Sequence, residues 1–296
     1  MSVDSNSSTM THVIPKGEIV GGVTSLGDDV FVVRFKSEER VEVYDAETFT
    51  LQRHITVPGL GITFGLVACP DNNCLYASDS DNDSVHRVDL SGSNAVMKWS
   101  VARYPVGLSV NDEHNLLVVS QNERKLQIFT THGTLLQNIQ LRADIGGPWH
   151  ALQLTTGQFL VSLSGLLDCV CLVGVDGAVV RSYGGWKGSK LTQLHEPRGL
   201  AADSEGRVLV ADVGNNRLLV IDQSLSSARE MSMCVDGGLK GPRSLWYDQS
   251  RLHIGEMYGG RVIVIDSLED FSTRNNTHSQ YCQCAVTFMS FDDYDY

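Results

Sequence analysis

One pattern recurs along most of this chain, and its period limits what the chain can fold into. The clearest copy, residues 196–222, runs from Pro197-Arg-Gly-Leu200 through a short strand, a Gly206 turn, Val208-Leu-Val210, a polar turn and Leu218-Leu-Val-Ile-Asp222. The copies align on the residue that opens the third strand of each unit: Arg40, Ser84, Lys125, Cys169, Arg217 and Arg261. Their spacing is roughly 41–48 residues, the length of a four-stranded propeller blade. The strands that follow are alike, and Asp45, Asp89, Asp222 and Asp266 close four of them. A second column keeps the same phase: Pro105, Pro148, Pro197 and Pro242 each precede an innermost strand.

Short β-branched and aliphatic runs such as Phe31-Val-Val33, Leu116-Leu-Val-Val119 and Phe159-Leu-Val161 alternate with Gly, Asn and Asp turns, and no window carries a capped helical stripe. The expected fold is all-β, a six-bladed β-propeller of four-stranded antiparallel blades. Such a ring leaves only short, protected sheet edges. The sixth blade needs a fourth strand. His12-Val-Ile-Pro15 is favoured, because Pro15 suits an edge position, over Ala285-Val-Thr-Phe288. The expected divisions are a flexible segment over 1–11, the propeller over 12–270 and a polar, acidic tail over 271–296, which ends in Phe291-Asp-Asp-Tyr-Asp-Tyr296 and is able to contribute a closing strand.

With a net charge of −12, general binding to DNA or to a membrane surface is not expected, because both need an excess of Lys and Arg. No run approaches the ~18 apolar residues of a membrane span, and the first thirty residues hold no signal-like apolar region. Seven cysteines without disulfide or zinc spacing point to a reducing, cytoplasmic setting and a monomer.

Residues 196–222 resemble an NHL repeat: Pro197, Gly199, Asp203, Gly206, Ala211, Asp212, Asn216 and Arg217 occupy the places of that pattern, and Arg261 and Asp266 keep part of it around 241–266. The resemblance implies a six-bladed propeller of the NHL type. Its pattern residues read as scaffold. Asp212 is placed to accept backbone N–H groups, Asn216 to tolerate a left-handed turn, and Arg217 and Arg261 to lie on the blade and pair with an acid.

Propellers place function on the loops that enter the innermost strands. The residues there, Phe64, Arg103, Tyr104, Trp149, His150, Arg198, Arg243 and Trp246, form a candidate recognition surface rich in hot-spot residue types. The Gly-rich insert around Trp186 is a candidate partner-binding loop. No catalytic residues, metal ligands or cofactor are expected. His150 has no histidine in its column, Asp79-Ser-Asp-Asn-Asp83 lacks the Gly and Glu of a calcium loop, and no nucleophile elbow is present. The expected function is therefore a non-enzymatic recognition scaffold for a protein or peptide partner. NHL propellers also bind RNA, so an RNA-binding module is one alternative. A metal-dependent lyase or hydrolase of the six-bladed type is the other.

Overall fold

The computed structural model describes residues 11–266 apart from 15–16, 37, 143–145, 204–205, 234 and 249–250. Pro15, the 285–288 strand candidate, residues 1–10 and the 271–296 tail lie outside them. Twenty-four strands form six four-stranded antiparallel sheets, and the chain is a six-bladed β-propeller. Blades one to five each use consecutive strands. Their innermost members are β2 (Val20–Leu26), β6 (Leu66–Cys69), β10 (Pro105–Val110), β14 (Gly147–Gln153) and β18 (Pro197–Ala202). Blade six runs β22 (Pro242–Tyr247), β23 (Arg251–Glu256), β24 (Val262–Asp266), and its outermost strand is β1 (Thr11–Ile14). Thr11 pairs with Ile265 and Ile14 with Val262, so the N-terminal strand closes the ring.

Six apolar clusters, one per seam between neighbouring blades, form the core. In β11 (Leu116–Ser120), Leu116 and Val118 face blade two, while Leu117 and Val119 face blade four. In β19 (Val208–Asp212), Val208 and Val210 face blade four, while Leu209 and Ala211 face blade six. The period of two therefore puts apolar residues on both faces, and the strands read as unbroken apolar runs. No blade covers its own faces, which is why the fold needs the whole array.

Around the axis the seams are polar. Ser78 Oγ donates to the Val106 carbonyl at 3.2 Å, Ser109 Oγ to Ala151 at 2.8 Å and Ser162 Oγ to Arg198 at 2.5 Å. Backbones approach closely enough there that glycine is required. A Cβ at Gly199 would sit 2.5 Å from the Arg243 carbonyl oxygen. Gly199→Ala is expected to lower stability by about 1–3 kcal/mol, read as a lower urea midpoint; an unchanged midpoint would show that the blades part easily at that seam. Among the described residues no helix is long and apolar enough to cross a membrane.

Candidate active site at the channel mouth

Each innermost strand except β6 breaks register near its start. Pro148 pairs with Leu163 and His150 with Ser162, so Trp149 is an extra residue. Pro242 pairs with Glu256 and Ser244 with Gly255, which makes Arg243 the extra residue of blade six. Between Pro197 and Leu200 the same shift carries Arg198. A bulge takes its residue out of the in-and-out alternation and re-aims the side chain. Here the re-aimed side chains line the central channel.

The turns leading into these strands are also held in a repeating way. Tyr104 and Glu196, each just before a proline, have φ of 59° and 53°, which is strained for non-glycine residues. The Tyr104 amide donates to Asp83 at 2.8 Å, the Glu196 amide to Asp168 at 3.1 Å, and the Gly241 amide to Asn216 at 2.7 Å. Asp83, Asp168 and Asn216 all stand immediately before the third-strand column, so blades two, four and five each fix the entry turn of the next.

The result is a cluster built on Phe64. Its ring meets Phe35 at 5.3 Å, Tyr104 at 5.7 Å and Trp149 at 5.8 Å. The Arg243 guanidinium lies 4.5 Å over the Phe64 ring, and the Arg198 guanidinium 4.1 Å over the Trp149 ring. Arg198 also reaches Glu196 at 3.2 Å and the Met257 sulfur at 3.5 Å. Arg243 is buried, and its Nη2 has no hydrogen-bond partner. Burial, with the neighbouring Arg198 adding repulsion, pushes its pKa down to about 9, so it stays charged at neutral pH. Burial likewise lowers that of Arg198.

Phe64, Trp149, Arg198 and Arg243 line one end of a channel cavity of about 600 Å³, with Asp71, Asp112 and His114 at the other end. That size suits a small molecule.

Of the expected surface residues, the structure brings Tyr104, Trp149, Arg198 and Arg243 together with Phe64. His150 is instead half-buried in the wall, with its Nε2 3.0 Å from the Leu108 carbonyl. Trp246 lies further along the channel, bonded to Ser25 and packed on the cluster between blades two and three. Arg103 is exposed, with its amide bound to Glu123. Trp186, 75% exposed, follows the outermost strand of blade four.

The pattern residues sit in the blades. Arg217 pairs with buried Asp212 at 2.7 Å and clamps the Trp186 insert through the carbonyls of Ser189 and Lys190. Asp212 also accepts the His195 amide, and Asn216 is left-handed at φ 53°. Arg261 pairs with Glu256 at 2.7 Å and holds the Asp236 and Gly238 carbonyls.

In the Asp79–Asp83 run, Asp79 is buried against His86 and Lys98, and Asp81 and Asp83 accept the amides of Ile62 and Tyr104. Among the described residues no three His, Cys, Asp or Glu side chains converge, so the donor set does not fit a metal ion.

Glu196 and Met257 were not singled out from sequence. They reach the mouth only through the left-handed turn at Glu196 and the turn after β23.

Comparison with known proteins agrees with this geometry at the level of the fold. A family profile described as NHL repeat matches residues 194–221, and no curated protein sequence matches the chain. Among solved structures, a streptogramin B lyase is similar with a TM-score of 0.65 and 9% identity, over 88% of this chain and 98% of that one. Hydrazine synthase from Kuenenia stuttgartiensis gives a TM-score of 0.61 and 15% identity, over 91% of this chain and 100% of that one. A virginiamycin B lyase from Staphylococcus aureus gives 0.64 and 8%, over 88% and 100%.

These three propellers are named as enzymes, and this corrects the expectation of a non-enzymatic scaffold whose defining feature is protein binding. The physical reason for the miss is that the mouth is assembled from side chains of several blades, so their clustering leaves no local motif in the sequence to be read. The chain is a six-bladed β-propeller with a short NHL-like stretch, related in architecture to propeller lyases.

Proposed function

We propose that the protein is a lyase acting at the channel mouth. The observation that carries this reading is the buried Arg243 guanidinium, its Nη2 without a hydrogen-bond partner, beside Arg198 in a cavity of substrate size. Two fixed cations in a poorly hydrated cleft stabilise negative charge that develops on an acyl oxygen. Glu196, 3.2 Å from Arg198, is the proton acceptor. A proton leaves the carbon next to the acyl group for the Glu196 carboxylate. The electron pair forms a carbon–carbon double bond, and the leaving group departs with its own bonding pair. The named lyases of the same architecture support the reaction class.

The arginines do not favour RNA. Arg198 and Arg243 are stacked on rings at the axis, and Arg34, Arg217, Arg251 and Arg261 are ion-paired. Phosphate-tracking surfaces need exposed cations.

The test is incubation of the purified chain with a panel of β-substituted acyl compounds, read by ultraviolet absorbance of the conjugated product. Glu196→Gln is expected to lower kcat about 10²–10⁴-fold with the fold intact. Turnover that survives this change at the parent rate would remove Glu196 from the reaction, and absence of turnover across the panel would remove the lyase reading.

A further inference from the structure

We infer that the substrate is a small monocarboxylate with an apolar body, held carboxylate-first against Arg243 and Arg198 with its body along the channel. The inference rests on the mouth being the reaction site, and it adds what the mouth selects.

Charge sets the anion. Two guanidiniums face one carboxylate, that of Glu196, which is paired with Arg198. Arg243 remains uncompensated, and its Nη2 is a buried donor without an acceptor. Leaving such a donor empty is unfavourable, and one anionic group satisfies both the charge and the hydrogen bond. One net positive charge matches a carboxylate better than a phosphate group, which approaches two negative charges at neutral pH.

Orientation favours the same group. Each guanidinium already lies on an aromatic face, Phe64 or Trp149. Arg198 spends its two Nη groups on Glu196 and Met257, so it is the fixed Arg243 guanidinium that offers an N–H edge to a planar carboxylate, with Arg198 adding charge beside it.

The rest of the channel sets the body. Beyond the arginines the wall includes Leu108, Leu200, Leu245 and Trp246, which give an apolar substrate contact beside the polar Ser109 and Ser244. The far end carries Asp112 and Asp71, the latter 3.0 Å from His114 Nδ1, and the two carboxylates repel a second carboxylate on a molecule long enough to reach them.

The experiment is calorimetric titration of the full chain with four probes: hexanoate, hexanamide, adipate and inorganic phosphate. Hexanoate is expected to bind saturably, with each of the other three at least about tenfold weaker. Arg243→Met should abolish hexanoate binding without lowering the melting temperature, and Arg243→Lys should restore part of it. Hexanamide, adipate or phosphate binding as tightly as hexanoate would overturn the inference, as would full hexanoate affinity in Arg243→Met. Hexanoate binding with no turnover of any β-substituted acyl compound would sink the lyase reading and leave the inference standing. Elimination from neutral acyl compounds without carboxylate binding would do the reverse.

Discussion

Arg243→Met is expected to raise the stability of the unliganded protein by about 1–4 kcal/mol, the range seen when buried charge gives way to apolar side chains of similar volume. Arg243 is buried, carries an unpartnered Nη2 and is repelled by Arg198. Methionine removes that cost and keeps most of the volume against Phe64. What is lost is the ring contact at 4.5 Å, a contribution of roughly 0.5–2 kcal/mol.

The pH dependence has a definite sign. The pKa of Arg243 is lowered in the fold to about 9, so its charge burdens the folded state fully below that pH. The advantage of the variant is greatest at neutral pH and shrinks as pH rises above about 9. Thermal melting of both proteins across this range measures it. If Arg243→Met melts lower than the parent at pH 7, Arg243 is a structural residue, and the account of an empty anion site is wrong.

The larger pH effect lies on the acid side. His253 is buried and His150 is half-buried in the channel wall, and desolvation pushes each pKa down to about 4. An unfolded imidazole titrates near 6.5, so between about 6.5 and 4 the unfolded chain takes up protons that the folded chain refuses. Their contribution is complete above pH 6.5 and is lost as pH falls. Each histidine is expected to cost about 3 kcal/mol by pH 4, and the pair roughly 6 kcal/mol, out of the 5–15 kcal/mol that holds a typical protein folded.

The carboxylates whose pKa is lowered by hydrogen bonds, among them Asp45 and Asp89, lose their contribution at lower pH and do not obscure this window. Urea midpoints measured from pH 7 to pH 4 should fall steeply, and His150→Gln with His253→Gln should flatten the slope. An equally steep slope in the double variant would assign the acid sensitivity elsewhere.

The architecture was legible because it is periodic. The third-strand column opens β4 (Arg40–Asp45), β8 (Ser84–Asp89), β12 (Lys125–Phe129) and β20 (Arg217–Ile221), and it misses by one residue in β16 (Asp168–Val173) and β24. The region of the mouth was legible too, since Tyr104, Trp149, Arg198 and Arg243 flank the prolines of the second column. Their convergence was not. It depends on bulges at Trp149, Arg198 and Arg243, and a bulge is a difference in register between two strands that neither strand shows alone. The burial of the mouth arginines was missed for a related reason. The arginines looked like surface residues in the sequence, whereas in the ring their neighbours bury them.

The closure of blade six by β1 has a consequence for synthesis. β1 leaves the ribosome long before it can find its place, because its partner β24 is made some 250 residues later. Until then five wedges stand complete while the sixth shows a bare edge of unpaired amides and carbonyls, the template on which chains join one another. Growing chains are therefore most prone to clumping late in translation, and an intact N-terminal strand is the protein's own guard against it.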